Sequence, residues 1–333
     1  MNARELVYKT LEFDRPERVP RQLWASPWAS LNYPEELKRI NADFPADIGG
    51  PKVIYAAPPK RIGQQYRIGT YVDEWGCMFE NIQDGVHGEV KEPLIKTWDD
   101  AANVRVPVEL LSFDKAAVNE SCRQSENFII AGCNPRPFER IQFMRSSENI
   151  YMDFYEHPSE LKALIKLVHD FNMKELDAWT DTAVDAISFM DDWGAQRALL
   201  IAPGMWREFF LPLYKDYISL AHAKGKKAFM HSDGYIIDII PDLIDAGLDA
   251  LNSQLFCMGL ENLSPFKGRI TFWGEIDRQH ILPEGPVEVV KKAVRDVKHH
   301  LYANGGVIAQ CEFGPGAKPE HVYAVFEEWG VAL

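Results

Sequence analysis

From residue 128 onward, short β-branched or apolar runs alternate with amphipathic stretches of helical length, and nearly every run stops at a polar residue. The runs are "FIIAGC" (128–133), "DAISFMD" (185–191), "KKAFMHSD" (226–233), "LDALNSQ" (248–254), "RITFWGEID" (269–277) and "GGVIAQCEFG" (305–314). Between them, "PSELKALIKLVHDFNMKELDAW" sets Leu161, Leu164, Ile165, Val168 and Phe171 on one helical face, and further helices are expected over 286–304 and 319–329. Strands in series separated by helices pair in parallel through right-handed crossovers. Two further strands are expected upstream, in "RVPRQLW" (18–24) and near "FPADIG" (44–49). Eight such units give a (β/α)8 TIM barrel, with a doubly wound open sheet as the alternative.

The strand ends favour the barrel. Asp47, Asp191, Asp192, His231, Asp233, Asn252, Gln254, Glu275, Asp277, Cys311 and Glu312 all stand where an apolar run stops, and a barrel gathers such ends at one mouth. Residues 52–127 break the rhythm. "QYRIGTYVDEWGCMFENIQDGVHGEVKEP" alternates in period two around Gly and Asp turns, so 52–127 reads as an inserted hairpin region within a single domain, 1–333, and as an overhang to the mouth.

The net charge of -13, with scattered Lys and Arg, argues against nucleic acid and anionic membrane surfaces. No apolar run reaches the roughly 20 residues of a membrane span, and "MNARELVYKTLEF" lacks a signal-peptide core. A cytoplasmic protein with small-molecule or protein partners is expected. Five scattered cysteines do not make a disulfide framework.

Strand side chains alternate between faces, so His231 and Asp233 share one, as do Glu275 and Asp277. Asp191 and Asp192 cannot both point inward while the strand continues, so one is structural and the other is free to orient substrate or move a proton. Between Cys311 and Glu312 the cysteine is taken as the inward group, because thiols survive in strand interiors. Imidazole, thiolate and carboxylate at one mouth form a set that zinc accepts. Three such ligands leave one position open. Taken singly, His231 is as well explained by a hydrogen bond and Cys311 by packing. Cys257, just past Gln254, is a further candidate ligand for which loop packing is the simpler account. Trp24 and Trp273 adjoin strand ends and, with Asn252 and Gln254, are candidates to wall a substrate pocket.

"ARELVYKTLEFDRPERVP", "DDWGAQRALLIAPGMWREFFLP", "HSDGYIIDIIPDLIDAGLDALNSQ" and "FWGEIDRQHILPEGPVEVVKKAV" together resemble the uroporphyrinogen decarboxylase superfamily, over most of the chain. The resemblance implies the same barrel, often as a homodimer. True decarboxylases carry an arginine-rich "RQAGR" stretch that grips substrate carboxylates. Here Arg21 and Gln22 match, but Leu23, Trp24 and Ala25 follow. An acidic mouth in a chain of charge -13 is a poor host for a porphyrinogen's carboxylates.

The resemblance is closer to the superfamily's zinc-dependent methyltransferases, which move methyl groups between a corrinoid and a thiol or methylated substrate and carry His-x-Cys with a distant Cys. His231 matches the histidine, Cys311 the distant cysteine, and Asp233 stands where the middle cysteine would be. The resemblance therefore implies zinc held by His231 and Cys311, with Asp233 or Glu275 completing the set and Asp191 or Asp192 assisting. The chain contains no Asp-x-His-x-x-Gly corrinoid signature, so the corrinoid is expected on a partner protein or free. The alternatives are decarboxylation of a porphyrinogen, and a barrel that carries a corrinoid or tetrapyrrole without turnover.

Overall fold

The structure is a computed structural model that describes residues 1–331. Its strands are β1 (Arg21–Ala25), β2 (Ile48–Gly49), β3 (Gly69–Val72), β4 (Met78–Asn81), β5 (Glu89–Val90), β6 (Phe128–Ile129), β7 (Ala186–Met190), β8 (Lys227–Ser232), β9 (Ala250–Ser253), β10 (Thr271–Trp273) and β11 (Val307–Phe313). Six form one parallel sheet in the order β1-β11-β10-β9-β8-β7, and β2 pairs with β6 in a second parallel sheet. All eight expected strands are present and parallel, most of them shorter than the apolar runs that announced them.

Only isolated backbone contacts join the two sheets. Asp47 donates its N–H to Arg21 O at 2.8 Å on one side, and an Ile130–Ala186 bridge links β6 to β7 on the other. The architecture is thus an α/β fold whose parallel sheet is curled, rather than a closed ladder of eight strands. The short pairing in β2 and β6 is why closure is not continuous.

Alternation along the strands separates two cores. Ile48, Phe128, Ile130, Ala186, Phe229, Ala250, Trp273 and Ile308 pack together on the concave side, where Val7 and Leu11 of the helix Ala3–Leu11 join them. Met230, Leu251, Phe272, Ala309, Cys311 and Phe313 face the other way, into the layer shared with the helices. The long helix Pro158–Thr180 buries Leu161, Leu164, Ile165, Val168 and Phe171 there, as its periodicity predicts.

Within 52–127, β3, β4 and β5 form an antiparallel sheet, as the period-two pattern predicts. The same range also contains the helix Lys115–Gln124, which connects β2 to β6 in the barrel-like rhythm; its buried stripe is only Val118 and Cys122, too thin to stand out in the sequence. No described helix is long and apolar enough to cross a membrane.

Candidate functional site

β7, β8 and β9 are in register such that Met190, His231 and Asn252 lie side by side. Neighbouring residues in a parallel ladder point to the same face, so His231 and Asn252 meet: His231 Nδ1 lies 2.5 Å from Asn252 Oδ1. Asn252 in turn donates from Nδ2 to the carbonyl of Trp273. That second bond fixes which way the amide points, so Oδ1 accepts from Nδ1–H and leaves His231 Nε2 as the ring nitrogen turned away from Asn252.

Nε2 faces two carboxylates, Asp192 Oδ1 at 3.5 Å and Asp233 Oδ1 at 3.6 Å. The loops that carry them cross backbone to backbone. A Cβ on Gly194 would lie 2.3 Å from Tyr235 N, and one on Gly234, whose φ is +79°, would lie 2.0 Å from Gly194 O. Only glycines allow that approach, and it is tied by Asp233 N donating to Asp192 Oδ1 at 3.1 Å and Gly194 N to Asp233 O at 3.0 Å. One ligand atom from each of Asp192, His231 and Asp233 falls within 4.8 Å of the others.

Electrostatics bind this cluster tightly. Burial works against a charged His231, but the hydrogen bond to Asp192 and the charge of Asp233 outweigh it and raise the imidazole to about 9. His231 holds Asp192 below the usual carboxylate range despite burial, whereas burial lifts Asp233. Asp233 Oδ1 is buried without a hydrogen-bond partner, while Oδ2 is paired with Arg278. The same guanidinium pairs with Glu312 through Nη1 and reaches Glu275 Oε1 at 3.5 Å through Nε. One arginine therefore ties three carboxyls together, and burial pushes Glu275 up to about 8.

The rings of Trp24 and Trp273 pack 5.1 Å apart beneath this cluster, with Trp24 5.4 Å from the His231 ring. Trp273 Nε1 donates to Gln22 Oε1 at 2.8 Å. Gln254 accepts from Gly234 N and lines, with Arg278, a side cavity of about 290 Å³.

Several sequence expectations need correction. Cys311 does not face His231. It has the opposite parity to Ile308, Gln310 and Glu312, lies fully buried in the helix-facing layer, and its thiol is pushed far up, chiefly by burial. Glu312 takes the inward place because Arg278 neutralises it there. Cys311→Ala is accordingly expected to leave metal content unchanged, by elemental analysis, and to cost about 1 kcal/mol in denaturant unfolding.

Asp191 occupies a structural position, away from His231 Nε2. It is fully buried and accepts from Phe138 N at 3.0 Å, Glu139 N at 2.8 Å and Tyr214 Oη at 2.6 Å. Glu275 is held by Arg278 outside the group of three, and Asp277, past the end of β10, caps the turn at Gln279 and His280. Cys257 donates to Gln254 O at 3.1 Å and joins no ligand group. Asp47 precedes β2 instead of following it, and there it binds Arg18. Arg21 opens β1 at the end away from the mouth, so it offers no carboxylate grip there.

Between the β3–β5 sheet and the ends of β6 and β7 lies a cavity of about 580 Å³, reached by Asp192. Sequence reasoning missed two carboxyls in its wall. Glu139, in the helix Pro137–Arg145, has Oε2 buried without a partner, and burial raises its pKa. Glu175 is 7% exposed and is pushed up to about 8 by burial and by Glu74. A signal for it existed: it lies one turn after Phe171 on the apolar face of its helix.

Glu175 also sets a pH dependence. Between its ordinary 4.5 and about 8 the folded chain keeps a proton that the unfolded chain has lost, so stability falls as pH rises through that window. Glu175→Gln removes this cost. The variant is expected to melt a few degrees higher than the parent at pH 8, with an upper bound of about 4 kcal/mol, and to show no gain at pH 4; calorimetry at both values checks it.

Among solved structures, a methyltransferase from Methanosarcina mazei aligns over 99% of this chain and 98% of its own, with a TM-score of 0.68 at 16% identity. A glycosylated endo-beta-1,4-xylanase from Gloeophyllum trabeum aligns over 66% of this chain and 81% of its own, with a TM-score of 0.41 at 9% identity. The first shares the fold; the second is too distant to carry an argument. No curated protein matches the chain. The sequence profile of the uroporphyrinogen decarboxylase (URO-D) family matches residues 67–329, and the chain belongs to that family.

Proposed function

We propose that this chain is a zinc-dependent methyltransferase, moving a methyl group between a small methylated substrate or thiol and a corrinoid supplied by a partner protein or free in solution. The eight parallel strands would then act as the family's (β/α)8 barrel, with 52–127 as its insertion and the site at its mouth. The observation that carries the reading is the convergence of His231, Asp192 and Asp233 beside a buried Asp233 oxygen that lacks a hydrogen-bond partner. An imidazole nitrogen and two carboxylate oxygens fit a divalent zinc ion, and form a harder set than one containing thiolates. Bound there, zinc would supply Lewis acidity toward a substrate heteroatom or an incoming thiol.

The chain's own groups prepare the rest. Asn252 holds the imidazole with Nε2 forward, and Arg278 restrains Asp233 through its other oxygen. Trp24 and Trp273 keep water from the floor. When a methyl group leaves, the substrate heteroatom keeps the bond's electron pair, and Glu139 Oε2 is the buried group able to deliver a proton to it from the cavity wall.

The reading is tested by anaerobic incubation of zinc-loaded and metal-stripped protein with reduced cobalamin and methoxylated donors, followed by the cobalamin spectrum. Zinc-dependent methylation supports it. Conversion of uroporphyrinogen to coproporphyrinogen would replace it with the decarboxylase alternative, and cobalamin binding without any transfer would replace it with a carrier.

A further inference from the structure

The cavity of about 580 Å³ has an uneven charge balance that bears on what enters it. Three arginines line it, and each already faces a carboxylate. Arg61 pairs with Glu74 at 2.8 Å, Arg140 pairs with Asp73, and Arg136 lies 3.7 Å from Glu139. Arg140 is further occupied by the rings of Trp75 and Phe143, each 5.5 Å away. Arg61 and Arg140 are engaged by these carboxylates, while Arg136 stands beyond hydrogen-bond distance of Glu139.

Glu175 is the opposite case. Its carboxyl faces the cavity from a helix interior, nine-tenths buried, and neither a hydrogen bond nor a salt bridge reaches it among the described residues. Tyr55 and Phe171 line the same cavity. Glu74 and Arg140 act on this carboxyl through their charges, but neither bonds to it. A buried carboxyl left without a hydrogen-bonded partner costs free energy in the empty protein, and a cation with an apolar body relieves that cost through charge pairing and ring contact. The candidate metal ligand Asp192 lines the same cavity, so one ligand can reach both.

We propose that the substrate of this site is a bifunctional molecule, with an ammonium group seated against Glu175 and a methyl-bearing oxygen or sulfur directed toward Asp192, His231 and Asp233. The inference rests on the methyltransferase reading for the role of the second group, while the ammonium site stands on the cavity alone.

The test is calorimetric binding of three probes with one ring and one methoxy group: 4-methoxybenzylamine, 4-methoxybenzyl alcohol and 4-methoxybenzoate. Each is titrated at pH 8.5, above the value of about 8 to which burial lifts Glu175, into metal-stripped and zinc-loaded protein. The amine should bind about tenfold or more tighter than the alcohol, and the benzoate should bind most weakly. Glu175→Gln, which is expected to fold more stably than the parent, should bring amine and alcohol within about threefold of each other. Equal binding of amine and alcohol to the parent protein, tightest binding of the benzoate, or an amine preference that survives in Glu175→Gln would each overturn the proposal. Because binding needs no turnover, an intact amine preference without zinc-dependent transfer would count against the methyltransferase reading alone.

Discussion

His231→Ala is expected to lower zinc affinity by about two to three orders of magnitude and to abolish methyl transfer while leaving the fold intact. Structural zinc sites with four ligands are worth roughly 10–16 kcal/mol, so one ligand carries about 3–4 kcal/mol. That is a factor of several hundred. His231 offers the one nitrogen of the group, and its Nε2 is aimed by the bond from Nδ1 to Asn252. The residue is partly buried at a strand end and its ring packs against Trp24, so alanine leaves a small void without unpairing the backbone of β8. Competition for zinc against a chromophoric chelator measures the loss, and circular dichroism reports the fold. Unchanged affinity would remove His231 from the site.

Asp191→Ala is expected to act on the fold itself, with a loss of about 3–5 kcal/mol in denaturant unfolding. The carboxylate accepts from two successive backbone N–H groups at the start of the helix Pro137–Arg145 and from Tyr214 Oη. Burial pushes its pKa well up, and these donors act against that rise. Alanine leaves all three donors buried and unpaired. It also frees the helix that carries Glu139 and Arg140 into the cavity wall, so transfer activity should fall together with stability. Normal stability with lost activity would show that Asp191 works in catalysis instead.

The strand order and the mouth were legible because each apolar run ends in a residue that strand interiors rarely tolerate. His231 and Asp233 could be paired from alternation alone, which also showed that only one of Asp191 and Asp192 could face the site, without choosing between them. What failed was the choice at Cys311 and Glu312. Burial preference alone favours the thiol, but Arg278, three residues past Glu275, neutralises a glutamate on the inward face. Glu139 and Glu175 were missed for a related reason. Both sit on helices, where periodicity assigns faces but does not say that a face borders a cavity rather than a packed core. The loop crossing at Gly194 and Gly234, which sets the distance between the two aspartates, depends on tertiary contact and leaves no local signature.

The most direct test of the metal centre is X-ray absorption at the zinc edge on the zinc-loaded protein. His231, Asp192 and Asp233 predict a first shell of nitrogen and oxygen alone, at roughly 2.0–2.2 Å, with imidazole scattering from a single histidine. A sulfur shell near about 2.3 Å would contradict the account, because it would put a cysteine on the metal that the structure places elsewhere.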